Sequence, residues 1–124
     1  MPKKIAVVND ERDFVDMVTI LLEDEGYDVQ ASGEGHAALR LIREWKPDLV
    51  LLDIRMSGLN GWEILEQMQK DPALAGTKVL VTSGAVEEVG AASAELRKSG
   101  HDYIALPFDL DDFIRKVKAM IGET

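Results

Sequence analysis

Two periodicities alternate along the chain from its first residues to its last. Ile5-Ala6-Val7-Val8 is a short unbroken apolar run, the pattern of a strand covered on both faces. Asp10 to Asp13 offer capping and acidic first-turn residues. Phe14, Val18, Leu21 and Leu22 then follow at helical spacing, up to a stop at Gly26. Tyr27 to Ala31 predicts a second strand. Ala38, Leu39, Ile42 and Trp45 share one helix face, and Pro47 ends that helix. Leu49-Val50-Leu51-Leu52 is the clearest buried strand and breaks off at Asp53. A glycine-containing loop leads into a third helix with Ile64, Leu65 and Met68 inward. Val79-Leu80-Val81 and Tyr103-Ile104-Ala105-Leu106 predict two further strands, and a last helix carries Phe113, Val117, Met120 and Ile121. Between Val86 and Ser99 the apolar positions are mostly small, and Gly90 costs roughly 1 kcal/mol relative to alanine. The spacing there predicts a helix of low local stability, a type of element recruited for switching.

Five βα units with buried strands predict an α/β fold: a doubly wound five-stranded parallel sheet with helices on both faces and right-handed crossovers. Ligands of such sheets bind outside the carboxyl ends of the strands, where the strand order reverses. Residues 1–124 are expected to form one domain, without an output domain.

Composition narrows the chemistry. Fourteen Lys and Arg against 23 Asp and Glu give a net charge of −9, and no basic cluster interrupts the acidic balance, which argues against nucleic-acid binding. Without cysteine there is no disulfide, thiolate catalysis or thiolate zinc site. The apolar run at Ile5 to Val8 is too short for a signal peptide, and nothing approaches a membrane span; a cytoplasmic protein is expected.

The residues after each predicted strand carry the candidate site. Asn9, Asp10 and Glu11 follow the first strand; Asp53, Ile54, Arg55, Met56, Ser57 and Gly58 the third. Thr82, Ser83 and Gly84 follow the fourth, and Pro107 and Phe108 the fifth. In the strand order 2-1-3-4-5 the first and third strands are neighbours, so Asp10 and Asp53 converge. Two carboxylates held that close repel unless a proton or cation lies between them. An open, oxygen-rich site of this kind suits Mg²⁺ (or Mn²⁺), and a carboxylate beside that cation can act as a nucleophile toward phosphorus.

The stretches VVNDE, LVLLDIRMSGLNGWE, VLVTSGA and DYIALPFD together resemble the receiver domain of two-component response regulators, along the whole chain. The resemblance implies the flavodoxin-like receiver fold and a role for each matching residue. Asp53 corresponds to the phosphoacceptor and Asp10 to the acid that ligates the metal directly. Arg55 corresponds to the residue whose backbone carbonyl reaches the metal. Asn9 stands where the family has an acid holding a metal-bound water. Ser83 matches the hydroxyl that bonds the phosphoryl group, and Tyr103 the aromatic that turns inward with it. Leu106 is the largest departure, because the family's lysine there pairs with the phosphoryl oxygens; Ser57 in place of proline is a smaller one. The long side chain of Arg55 projects from the same rim and offers partial compensation, against its plainer reading as a solvated loop residue.

The implied function is a phosphoacceptor signalling module. Its phosphodonor is a sensor histidine kinase or phosphotransfer protein, and it signals as a monomer or weak dimer to an output protein through residues 86–121. Catalysis is confined to its own phosphorylation and dephosphorylation. Leu106 and Asn9 support an alternative, a pseudo-receiver adaptor that works without phosphorylation. A flavin-mononucleotide protein fits poorly because the first loop is acidic, as does an Asp-x-Asp phosphatase because position 55 is Arg. His36 and His101 read as surface residues, Trp45, Trp62 and the methionines at helical spacing as core or partly exposed packing, and Glu87–Glu88 as a helix N-terminal charge preference.

Overall fold

Each of the five apolar runs forms a strand of one parallel sheet. The computed structural model describes residues 2–56, 58–83 and 96–122, with only the backbone of Ser83. The strands are β1 (Lys4–Val8), β2 (Asp28–Ser32), β3 (Leu49–Asp53), β4 (Lys78–Ser83) and β5 (Asp102–Ala105). Their order is β2-β1-β3-β4-β5, every pair parallel, as the patterning predicts. The connecting helices are α1 (Arg12–Asp24), α2 (Gly35–Trp45) and α3 (Gly61–Lys70), and the chain closes with a C-terminal helix (Leu110–Ile121). The weak helix expected between Val86 and Ser99 lies, for residues 86–95, outside the described residues, as do Glu87 and Glu88.

Alternation along the strands divides the core into two layers. Ala6, Val8, Val50, Leu52, Val79 and Val81 face α2 and α3, packing with Ala38, Ile42, Ile64 and Met68. Their neighbours Ile5, Val7, Leu49, Leu51 and Leu80 face α1 and the C-terminal helix, against Val18, Leu22, Phe113 and Val117. Side chains point alternately to the two faces of a strand, so one run of apolar residues serves both layers.

Several local expectations shift. Within Asp10 to Asp13, Glu11 is the N-cap of α1 and Asp13 the acidic first-turn residue, but Glu11 makes no side-chain capping bond; instead Asn9 Oδ1 accepts from the Glu11 N–H at 2.8 Å. The second strand begins at Asp28 rather than Tyr27, whose buried ring instead directs its hydroxyl to donate to the Gly122 carbonyl at 2.8 Å. The fifth strand ends at Ala105, one residue short of Leu106. Helix α2 closes on Lys46 in the left-handed conformation (φ 52°), before Pro47 is reached. His101 is not a surface residue: it is half-buried, and its Nδ1 accepts from the Val79 N–H at 3.0 Å.

Candidate functional site

The site lies where β1 and β3 end side by side. Val8 pairs with Leu52 and Asp53 with Thr82, so the chain leaves β1 at Asn9 directly beside the point where β3 delivers Asp53. Asp53 is half-buried while Asp10 and Glu11 are exposed, so one carboxylate sits back in the sheet edge with two on the rim. Burial pushes the Asp53 carboxyl above its ordinary value; the Arg55 N–H, donating to Asp53 Oδ1 at 3.4 Å, opposes this, and the charges of Asp10 and then Glu11 raise it further. The electrostatic influence of Asp10 on Asp53 agrees with the expected convergence of these two acids.

Glycines shape the wall behind Asp53. A Cβ on Gly61 would fall 2.5 Å from the Asp53 carbonyl oxygen and 2.7 Å from Ile54 Cα, so α3 begins in contact with the acceptor's own backbone. The Gly61 N–H donates to the Ile54 carbonyl at 2.9 Å, and Asn60 and Glu63 cap the start of α3 with a reciprocal capping box. Gly58 adopts φ +79° beneath the Glu34 carboxylate, which caps α2 through the His36 and Ala37 N–H groups. Those two bonds hold the Glu34 pKa below its ordinary value.

An open cleft of about 510 Å³ adjoins the acids and is lined by Asp10, Ile54, Arg55, Met56, Asn60 and Trp62. Asn9 is 5% exposed and its side-chain oxygen is turned onto the Glu11 backbone. Ser83 stands at the end of β4, paired with Ala105; its side chain is outside the described residues. Leu106 is half-buried and follows β5 through a cis peptide to Pro107. Tyr103 is not at the acids but on the far side of β5, with Arg97 and Lys116 over its ring at 5.5 and 5.8 Å. Lys116 Nζ also donates to Asp102 Oδ2 and to the Tyr103 carbonyl, both at 3.2 Å. Burial works to raise the Asp102 carboxyl, yet it lies below its ordinary value because the Tyr103 N–H and Lys116 outweigh that effect. Tyr103, Lys116 and Arg97 line a larger hollow of about 770 Å³ that contains none of the candidate acids.

One of the residues named after the fourth strand was given no role of its own from the sequence. Thr82 is fully buried beside Asp53, and its hydroxyl donates to the Leu52 carbonyl at 3.4 Å. Its place, immediately after an apolar run and before Ser83, was the available signal.

Among the described residues no group of three or more His, Asp or Glu side chains stands ready around one point. The acids at this edge are Asp53, at the end of β3, and Asp10, after β1. Hard oxygen donors and uncompensated negative charge fit Mg²⁺, which keeps several waters of its own.

This fold and this arrangement of acids define a class. A profile of the response regulator receiver domain matches residues 5–118, and the chain belongs to that family, the receivers of two-component response regulators. It is 32% identical over 121 residues to the DNA-binding response regulator MtrA of Mycolicibacterium paratuberculosis, spanning 98% of this chain and 52% of that protein. The chain thus spans about half the length of the curated relatives it matches. A CheY-like receiver domain protein from Methanospirillum hungatei superposes with a TM-score of 0.82 at 27% identity, over 98% of this chain and 94% of that one. The receiver domain of the Pseudomonas aeruginosa sensor histidine kinase PA1611, solved with a magnesium ion coordinated in its active-site cleft, superposes with a TM-score of 0.85. It is 20% identical and is covered in full, with 99% of this chain. No helix among the described residues is long and apolar enough to cross a membrane.

Proposed function

We propose that this receiver is a phosphoacceptor signalling module in which Asp53 takes a phosphoryl group from a sensor histidine kinase or phosphotransfer protein. The observation that carries this reading is the half-buried Asp53 carboxylate at the end of a central strand, raised in basicity by burial and by Asp10. A carboxylate of raised basicity is a better nucleophile once ionised. Asp10, Asp53 and the Arg55 backbone carbonyl would hold Mg²⁺, with Asn9 reaching it through water. The cation, when bound, neutralises charge on the carboxylates and on the incoming phosphoryl oxygens.

In the transfer, an Asp53 carboxylate oxygen forms the new bond to phosphorus. The phosphorus–nitrogen bond of the donor's phosphohistidine breaks, its electron pair returning to the imidazole. Hydrolysis reverses the loading, water supplying the hydroxyl that leaves as phosphate and restoring the carboxylate. Loss of the dianion releases Ser83 and Tyr103, the residues through which the loaded state reaches the face that meets the output protein.

Intact mass after incubation with acetyl phosphate and Mg²⁺ tests the reading. Wild type gains one phosphoryl group and Asp53→Asn gains none. A wild-type chain that never gains that mass overturns it in favour of a phosphorylation-independent adaptor. Two observations favour that second reading: an apolar, half-buried Leu106, and an Asn9 oxygen already engaged by the Glu11 N–H.

A further inference from the structure

Two separate stretches of chain carry the acids: Asp10 follows β1, and Asp53 opens the loop from β3 to α3. The register of β1 on β3 ends at Val8 and Leu52. Beyond it, the spacing of the two carboxylates depends on what each stretch rests against.

The turn from β2 into α2 rests against both. On one side the Asn9 N–H donates to the Ser32 carbonyl at 3.1 Å. A Cβ on Gly33 would lie 3.4 Å from the Asn9 carbonyl oxygen and 3.5 Å from Asp10 Cα, in ordinary contact. On the other side Gly35 is buried against the backbone of Leu59, where a Cβ would fall 2.5 Å from the Leu59 nitrogen and 2.8 Å from its carbonyl carbon. Between these two glycines the Glu34 carboxylate occupies the place that a Cβ on Gly58 would take.

The turn is itself held firmly. The Glu34 oxygens accept from the His36 and Ala37 N–H groups at 3.0 and 2.9 Å, and the Ser32 hydroxyl donates to the Glu34 carbonyl at 3.4 Å. Leu59 in turn leads through Asn60 to Gly61, whose N–H is bonded to the carbonyl of Ile54, the residue after the acceptor. A displacement at Gly35 therefore reaches Asp53 through four residues of backbone. Groups that hold metal ligands in place without touching the metal change its affinity by about 10- to 100-fold when they are lost.

We propose that Gly33, Glu34 and Gly35 are the positioning element of the acidic site: their turn bridges the Asp10 stretch and the Asp53 loop and sets the spacing at which the two carboxylates take a divalent cation. The assignment rests on the metal-holding half of the phosphoacceptor reading. It gives residues that touch neither metal nor phosphoryl group a role in the affinity for both.

Mg²⁺ titrations of the full chain, followed by tryptophan emission with Trp62 lining the cleft beside Asp10, test it on variants first shown to be folded by their urea melts. Gly35→Ala drives a methyl group into the Leu59 backbone and should weaken Mg²⁺ by about 10- to 100-fold. Gly33→Ala, two residues away, places its methyl in ordinary contact and should leave the affinity unchanged. Val117→Ala truncates a fully buried side chain in the other core layer, so it should lower stability and spare Mg²⁺. If Gly35→Ala does not fold, Glu34→Asp decides: it keeps the charge and a good cap for α2, withdraws the carboxylate from Gly58, and should also weaken Mg²⁺. Unchanged Mg²⁺ affinity in folded Gly35→Ala, or in Glu34→Asp where Gly35→Ala fails to fold, overturns the assignment. An equal loss in Gly33→Ala or Val117→Ala overturns it as well, and so does a wild type that binds no Mg²⁺. A wild type that binds Mg²⁺ and gains no phosphoryl mass refutes Asp53 as acceptor, while the titrations still decide the role of the turn.

Discussion

Replacing Gly61 with alanine probes the contact between α3 and the acceptor's backbone. On helix propensity alone the change should help, since alanine is favoured over glycine by about 1 kcal/mol inside a helix. The geometry opposes it. The new Cβ would sit 2.5 Å from the Asp53 carbonyl oxygen, 2.7 Å from Ile54 Cα and 3.1 Å from the Asp53 carbonyl carbon. Ordinary carbon contacts lie near 3.5–4.0 Å, so α3 and the Asp53 loop must separate by roughly 1 Å. All three atoms are backbone, so no side-chain rotation relieves the clash. Overpacking of this kind costs about 1–3 kcal/mol. The separation also stretches the 2.9 Å bond from the Gly61 N–H to the Ile54 carbonyl, at about 1 kcal/mol more. The net expectation is a destabilisation of about 1–3 kcal/mol, which lowers the urea midpoint by about 1 M. Gly76→Ala supplies the control: a Cβ there meets nothing within 4 Å and the backbone is not left-handed, so stability should hold or rise by about 0.4–1 kcal/mol. Both are read from urea melts followed by tryptophan emission. A Gly61→Ala midpoint at or above wild type, with Gly76→Ala behaving as expected, would refute the argument that this close approach fixes the Asp53 loop.

Three further outcomes are expected. In Mg²⁺ titrations Asp10→Ala should lose far more affinity than Glu11→Ala; equal losses would remove Asp10 as the direct ligand. Asp53→Asn should raise the urea midpoint at pH 7, because burial chiefly, with Asp10 adding to it, disfavours the ionised carboxylate in the fold. A raised folded pKa means stability present at low pH and lost as pH rises, so the advantage of Asp53→Asn should shrink toward pH 4 and below; an advantage that grows on acidification contradicts this. Burial, and secondarily the Lys78 charge, hold the His101 pKa below its ordinary 6.5. Its neutral form contributes stability above about pH 6.5, lost as pH falls and the unfolded imidazole takes up a proton, so the midpoint gap between wild type and His101→Ala should narrow from pH 7.5 to 5.5. A constant gap would show that the Nδ1 bond to the Val79 N–H does not depend on protonation.

The sheet and its order were legible because buried parallel strands leave unbroken apolar runs, and Leu49 to Leu52 followed by Asp53 marks a strand end directly. The neighbourhood of Asp10 and Asp53 followed from that order. At the start of α1 the N-cap falls on one of the expected residues, Glu11, and Asp13 is the acidic first-turn residue, but the side-chain bond there is made by the preceding Asn9, which accepts from the Glu11 N–H. His101 was misread because its partner is a backbone group 22 positions earlier, brought close only when β4 and β5 pair. The Glu34 carboxylate against Gly58 joins two loops for the same reason, and neither residue signals it alone. The surroundings of Tyr103 were not legible either, because Lys116 and Arg97, which stand over its ring, come from separate stretches of chain.

The division of each strand between two layers also constrains the length of the chain. Deleting one residue between Pro47 and Asp53 would turn Leu49 and Leu51 toward α2 and α3, and Val50 and Leu52 toward α1 and the C-terminal helix. Both halves of the core would be mispacked by a single edit that leaves hydrophobicity almost untouched. The same slip would draw the acceptor one position down into the sheet, away from Asp10. For this segment residue count is inherited information as strict as residue identity: substitutions among Val, Leu and Ile are open to it, and insertions and deletions are closed.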